Sequence, residues 1–585
     1  MGRLSVYPLI FLLAASLSAC GDASHDESYS TYCNPINIDY TYSVTHTSGG
    51  VSFRSGADPA VVPFQDKYYM FVTRSQGYWM SDDLREWEFI RPQNWFFESS
   101  NAPGAWPMGD SLLIALANPS GWQNVIFTDD ATRGTWQGAA SLVPLVPVHD
   151  PALFVDDDGR VYMYRGSSNV HPIYGVELDP HDYFLPTGEN RELINLEPDE
   201  HGWERFGESH EDTVLAGYIE GPWMTKHDGT YYLQYAAPGT EWSVYGDGVY
   251  TSDDPLGPFT YQEYSPFSYK PGGFIRGAGH GSTVRDPYGD YWHFATMVVG
   301  INFNFERRIG QFPAGFDDDG RLYTNTAYGD YPHYLPSSTD RGREDWFTGW
   351  MLLSYDKPVE ASSFQEDFGP ENVVDENVKS FWVAATNTDA EWLTIDLEQQ
   401  SELRAVQINY ADYESNIYGK PDTLYHQYLI ESSVDGEAWD VLIDKRENVE
   451  DVPNDYVELA TTRPARYVRF TNYHVPTPNL AISGLRIFGT GGGEKPSEVA
   501  NFQVERGEDR RKARLSWDPV EGAQGYHAYF GIDRDKLYNS VMVYRDTTYQ
   551  LNSLNVDPEY FFAIEAFNEN GISQRSRVLD AGASG

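Results

Sequence analysis

The chain has 585 residues but only two cysteines, so no disulfide framework can hold it together. Positive charge is scarce: 41 Lys and Arg face 87 Asp and Glu, a formal charge of −46 at pH 7. Such a surface repels phosphate backbones and anionic bilayers, which excludes nucleic acid and acidic membranes as partners. The apolar run at the N-terminus is too short to cross a bilayer. No long segment with helical period appears between residues 34 and 345. What is abundant is aromatic: 15% of residues, with 42 Tyr. A chain so rich in rings has too much to bury to stay disordered. At roughly 150 residues per domain, its length allows two to four domains, each with its own core.

Residues 1–20 place one Arg ahead of a short apolar run that ends in small residues, the pattern of a secretion signal. Leu17-Ser18-Ala19-Cys20 resembles a bacterial lipobox, which implies that Cys20 is lipidated and becomes the first residue of the mature chain. Residues 21–33 follow as a polar, acidic tether. The expectation is a lipid-anchored protein of a bacterial cell envelope, at the outer membrane, facing the periplasm or the cell surface. Oligomeric state is left open. Cys33 then has no Cys partner and is expected to be buried and structural.

From residue 34 to 350 short alternating or apolar runs are punctuated by Asp158-Gly159, Asp228-Gly229 and Asp319-Gly320, which are hairpin signals. The runs recur as a loose repeat. Its units open at Asp58-Pro59-Ala60, Ala105-Trp106-Pro107, Asp150-Pro151-Ala152, Glu220-Gly221-Pro222 and His280-Gly281-Ser282, at spacings of 48, 44, 70 and 60 residues. Four strands need about 40–50 residues, so five units fit a five-bladed β-propeller with two enlarged blades. The first strand of a propeller blade is innermost. Asp58, Trp106, Asp150, Glu220 and His280 are therefore expected to converge on one channel mouth.

Hydrolysis of a glycosidic bond needs one carboxyl group to protonate the leaving oxygen and another to activate water. The acid must keep its proton near neutral pH, and a second carboxylate close by raises its pKa. Asp58, Asp150 and Glu220 are the candidates. Gly56-Ala57-Asp58-Pro59-Ala60, His149-Asp150-Pro151-Ala152 and Ile219-Glu220-Gly221-Pro222, with Cys33-Asn34-Pro35-Ile36, resemble glycoside hydrolase family 43 over residues 33–330. The resemblance implies that Asp58 is the general base, Asp150 orients the acid and tunes its pKa, and Glu220 is the general acid of an inverting enzyme. It implies a pocket-lining Trp at Trp106, which otherwise packs between blades. It also implies a channel His at His280, which in many members contacts calcium and otherwise is a hydrogen-bonded core residue. Arg307 falls where the family places an Arg near the acid and the substrate, although Arg308 adjoins it.

Residues 356–490, with Phe381-Trp382, Glu391-Trp392 and Ile482-Ser483-Gly484-Leu485-Arg486-Ile487, resemble the discoidin (coagulation factor type C) jelly roll. Many bacterial members bind carbohydrate, and many hold a structural calcium. Residues 495–583 resemble a fibronectin type III sandwich, with Trp517 and Tyr560 in its core. Asp156–Gly159 and Asp317–Gly320 read as solvated hairpin turns, Arg285-Asp286-Pro287 as a turn, and Ser433–Trp439 as a turn with a packed Trp. The expected protein is all-β: a five-bladed propeller, a jelly roll and a fibronectin-like sandwich. Its expected activity is release of terminal pentose from plant or algal polysaccharide, as a β-D-xylosidase or α-L-arabinofuranosidase. No cofactor is needed for that chemistry, and structural calcium would belong to the propeller channel and the discoidin-like domain. A galactoside-directed member of the same family and a non-catalytic propeller lectin are the alternatives.

Overall fold

The computed structural model describes residues 31–94, 100–117, 125–138, 148–337 and 345–581. The expected signal peptide with Cys20, and the tether up to residue 30, lie outside these residues. The described chain is all-β. Its helix is limited to the short turns Ala131–Arg133, Gly202–Glu204 and Pro370–Val373.

Five antiparallel sheets follow one another between residues 41 and 324. Their first strands are Ala60–Phe64 (sheet I), Gly104–Met108 (II), Ala152–Val155 (III), Glu220–His227 (IV) and Arg276–Arg285 (V). Within each sheet the next strands pair outward in sequence order. The Asp-Gly turns make this possible. Asp228 (φ 47°) and Gly229 (φ 87°) are both left-handed, as a two-residue hairpin turn between right-twisted strands requires. First strands touch in a cycle, I to II, II to III, III to IV, IV to V and V back to I, so the sheets close into a ring. Sheet V gains Phe53–Ser55 and Thr41–Ser43 from ahead of sheet I, and Ser55 pairs in parallel with Arg307. That strand exchange joins the start of the ring to its end and is not visible in the sequence pattern.

Rings fill the seams between sheets. Trp106 lies 5.2 Å from Phe154 and 5.6 Å from Trp223, which joins sheets II, III and IV. The Asp-rich stretches are turns, as expected, but their leading carboxylates are buried hydrogen-bond acceptors and not solvated. Asp156 receives Lys226 Nζ and Tyr231 Oη, and Asp286 takes three backbone N–H groups and Trp292 Nε1. Trp439 packs under the Arg469 guanidinium at 3.9 Å.

Residues 351–490 form one eight-stranded sheet. Its long strands Trp392–Tyr410 and Asn454–His474 slip register twice, which bends the sheet over a core that includes Trp382, Ile395, Ile408, Phe470 and Ile487. Residues 503–580 form a three-stranded and a five-stranded sheet around Trp517, Phe530, Tyr560 and Phe562. Val244 and Tyr269 of the ring enter this last core. Cys33 is 2% exposed, its Sγ lies 3.2 Å from the Asp330 carbonyl, and burial pushes its thiol up to about 12. It packs between domains as an inert thiol.

Candidate active site

The ring has a distinct backbone at one end of its innermost strands. Asp58, Ala102, Asp150, Gly221 and His280 all have positive φ, between 42° and 60°. Four stand at or near the start of their sheet's first strand, and His280 stands at the register shift within Arg276–Arg285. For four of the five, which carry a Cβ, this conformation is strained by about 1–2 kcal/mol, and such strain collects at functional sites. Gly221 shows why Glu220 is followed by glycine. A Cβ there would stand 2.6 Å from the ring carbons of His280, on a backbone at φ 60°.

The arrangement corrects the expected register of sheet II. The residue equivalent to Asp58 is Ala102, in Asn101-Ala102-Pro103, and not Trp106. Trp106 lies four residues farther along the strand, where its ring neighbours are Phe154 and Trp223. Its ring packs between sheets and stays partly exposed.

Three acidic side chains do converge. Asp58 is 8% exposed. Thr73 Oγ1 donates to Asp58 Oδ2 at 2.5 Å, and His280 Nδ1 and Arg307 Nη1 lie 3.3 and 3.6 Å from Oδ1. Burial alone would raise its pKa. The charges of Arg307 and His280, with the hydroxyls of Thr73 and Thr296, outweigh burial and hold the carboxyl below its ordinary value. Asp58 is therefore an anion at neutral pH.

Asp150 has the opposite environment. His280 Nδ1 is 3.9 Å from its Oδ2, and the Gly221 N–H donates at 3.4 Å. Burial, with the charges of Glu220 and Asp58 close by, pushes its carboxyl up to about 7 despite His280. Glu220 is 9% exposed and accepts two hydroxyls, Tyr245 Oη at 2.7 Å and Ser167 Oγ at 3.0 Å. The mouth thus holds one carboxyl, Asp58, kept ionised, and beside Glu220 another, Asp150, kept protonated to near neutrality.

His280 sits between the first two carboxyls. Burial lowers its pKa, but Asp58, Asp150 and Glu220 more than offset this, and it rises above the ordinary value. Its backbone N–H donates to Asp247 Oδ1 at 2.6 Å, and Asp247 Oδ2 takes Gly281 N–H and His293 Nε2, each at 2.9 Å. Of the two adjacent arginines, Arg307 faces the mouth, with Nη1 2.6 Å from Thr240 Oγ1. Arg308 turns away to Glu306 and Asp412.

The calcium implied for His280, contacted in many members through water, finds no direct ligand set among the described residues. His280 Nδ1 faces two carboxylates, and Asp247 is spent on three N–H donors. Among the described residues, no group of three or more His, Cys, Asp or Glu side chains has metal-holding geometry.

Sequence reasoning missed Thr73, Ser167, Thr240, Tyr245, Asp247 and Thr296. A signal existed for two of them. Thr73 and Ser167 each stand two residues beyond the second strand of their sheets, Lys67–Phe71 and Val161–Arg165. The hydroxyl recurs at one place in the repeat and meets a carboxyl both times.

Comparison with known proteins finds relatives named as glycosidases. The chain is 28% identical over 158 residues to Beta-D-galactofuranosidase xynD of Aspergillus niger, covering 26% of this chain and 38% of that protein. It is 30% identical over 190 residues to the Arabinoxylan arabinofuranohydrolase of Bacillus subtilis, covering 28% and 33%. It is 29% identical over 134 residues to the Beta-xylosidase of Xylanibacter ruminicola, covering 19% and 39%. The chain spans between 33% and 39% of the length of these relatives. Residues 51–320 match the family described as Glycosyl hydrolases family 43, and residues 358–512 match the F5/8 type C domain.

Proposed function

We propose that the ring of five sheets is a five-bladed β-propeller hydrolase that removes terminal pentose residues from plant or algal polysaccharides with inversion at the anomeric carbon. The convergence of Asp58, Asp150 and Glu220, with Asp58 held anionic and Asp150 raised to about 7, is the observation that carries this reading. Asp58 accepts a proton from water as its oxygen bonds to the anomeric carbon. The glycosidic C–O bond breaks, and Glu220, oriented by Tyr245 and Ser167, is the group that gives a proton to the leaving oxygen. Asp150 reaches Glu220 through the intervening Gly221 N–H and sets the charge beside it. Arg307 and His280 keep Asp58 in its basic form.

The xylosidase and arabinofuranohydrolase names among the relatives support pentose as the sugar. The galactofuranosidase name adds a furanoside of a hexose as a second substrate class to screen. On the same reading, Cys20 carries a lipid that anchors the protein in a bacterial envelope. The F5/8 type C region binds carbohydrate, and the final two-sheet unit is a fibronectin type III spacer.

The test is Asp58→Asn, assayed on nitrophenyl pentosides, arabinan, xylan and galactan, with NMR following the anomer first released. Removing a general base lowers kcat by roughly 10²–10⁴-fold, while circular dichroism remains that of the wild type. Turnover undiminished in this variant would sink the triad. A retained anomer would sink inversion.

A further inference from the structure

We propose that Phe305 and the shallow depression beside it form a second sugar-binding station on the rim of the ring, which holds the neutral polysaccharide chain that carries the terminal pentose. The proposal rests on the glycosidase reading above. Phe305 is an exposed ring at 41%, and the Arg307 guanidinium lies 5.6 Å from its centre. The same Arg307 reaches to 3.6 Å from Asp58, so the ring stands one side chain away from the reacting centre.

A single exposed Phe means little by itself. This one is braced. Phe303 meets it edge-on at 5.6 Å and stacks on Phe53 at 4.7 Å. The loop that carries both rings is fixed by buried Glu306. Its carbonyl takes the N–H groups of Val299 and Gly300, its own N–H reaches the Phe303 carbonyl, and its carboxylate takes the Asn302 N–H at 2.7 Å. Asn302 then ties the loop to the next domain, donating to the Ala411 carbonyl and accepting the Glu414 N–H. A rigid loop presents its ring with little ordering left to be lost on binding.

The depression beside the ring measures about 450 Å³ and is bordered by Thr47, Ser48, Asn302, Phe303, Asn304 and Phe305, with Gly300 and Ile301 completing it. None of these residues is charged, on a chain of net charge −46. An aromatic face flanked by amides and hydroxyls suits a ligand with apolar C–H faces and many neutral hydroxyls. A sugar chain continuing from the pentose bound at Asp58 meets that description. An anionic chain would find no cation in the depression.

Binding energy from such a remote contact raises turnover of a polymer but is out of reach for a small glycoside. The test compares wild type, Phe305→Ala and Phe305→Trp on arabinoxylan and on 4-nitrophenyl pentosides. In Phe305→Ala the ratio of kcat/KM on polymer to kcat/KM on nitrophenyl glycoside falls about tenfold, equivalent to ~1.4 kcal/mol. Phe305→Trp restores the ratio. An unchanged ratio in Phe305→Ala overturns the station while leaving the glycosidase reading intact. If the wild type hydrolyses neither substrate, the glycosidase reading fails instead. Affinity electrophoresis in gels containing arabinoxylan then decides the station: loss of retardation in Phe305→Ala supports it, and equal mobility overturns it.

Discussion

Two regions of this molecule crowd buried charge together, and they do so in opposite ways. At the junction between the ring and the F5/8 type C region, Arg54 is fully buried between two carboxylates. Its Nε lies 2.8 Å from Asp412 and its Nη1 2.5 Å from Asp451. Tyr42 Oη donates to Asp412 at 2.7 Å, and the Arg54 guanidinium lies over the Tyr42 ring at 4.3 Å. Nearby, Arg486 makes two contacts of 2.9 Å with Glu376. At the ring mouth, three carboxyls crowd around the His280 imidazole and the Arg307 guanidinium, while Asp247 is tied to the His280 backbone and to His293. There burial and mutual repulsion raise Asp150 to about 7. The junction satisfies its charges and becomes structure. The mouth leaves charge unresolved, and an unresolved proton is what acid–base chemistry uses.

The largest effect expected from breaking this contrast is at the junction. Asp412→Ala leaves Arg54 with one carboxylate and Tyr42 without an acceptor. Removing one partner from a buried pair costs about 3–5 kcal/mol. A thermal scan of the variant shows an earlier first transition, while kcat of the remaining folded enzyme on a nitrophenyl pentoside is retained. An unmoved transition would show that the junction pair carries no stability. Replacing Arg54, Asp412 and Asp451 together with apolar residues of similar volume costs less than the single change, because no charge is then left buried alone.

The mouth behaves in reverse, and Asp150→Asn exposes it. The folded carboxyl titrates near 7 and the unfolded one near its ordinary value of 3.8. Its stabilising contribution is therefore complete below about pH 4 and is lost as pH rises through 7. Asparagine mimics the protonated form at every pH. The variant is expected to match the wild type below pH 4 and to be more stable above pH 7, by an amount on the order of a few kcal/mol. Its turnover falls nevertheless. The wild-type pH–rate profile declines as pH rises through about 7, where the mouth gains a negative charge, and that limb is absent in Asp150→Asn. Equal melting temperatures at pH 8 would sink this account of Asp150.

The sequence made one of these two regions legible and hid the other. Asp58 and Asp150 stood out because Asp-Pro-Ala occurs twice in register with a repeat of hairpins. Glu220 stood out because a glycine and a proline follow it, and His280 packed on Gly221 explains the glycine. Sheet II was misread because its mouth residue is a plain alanine, so the conspicuous Trp106 drew the assignment four residues along. Asp247 lies in the third strand of sheet IV, Gly246–Ser252, with Tyr245 just ahead of it, away from the sheet openings that mark the repeat. The junction was illegible for a simpler reason. Arg54 and Asp412 are 358 residues apart in sequence, and no local pattern marks either as a partner of the other. The depression beside Phe305 was hidden likewise, because its wall joins residues near 47 to residues near 303.

The smallest expected effect completes the comparison at a third charged site. Asp158, in the turn after Ala152–Val155, pairs with Arg160 at 2.7 Å, a contact as short as those at the junction. Both side chains are about half exposed. Water screens the pair, and holding two mobile side chains in one geometry offsets most of the attraction. The turn depends instead on backbone geometry, since Gly159 is left-handed at φ 84° and Asp158 Oδ1 accepts the Arg160 N–H at 3.0 Å. Asparagine keeps that acceptor oxygen and loses only the charge. Asp158→Asn is therefore expected to shift the melting temperature by no more than about 2 °C and to leave turnover unchanged. A shift as large as that of Asp412→Ala would mean that contact distance, and not burial, sets the worth of a charge pair in this protein.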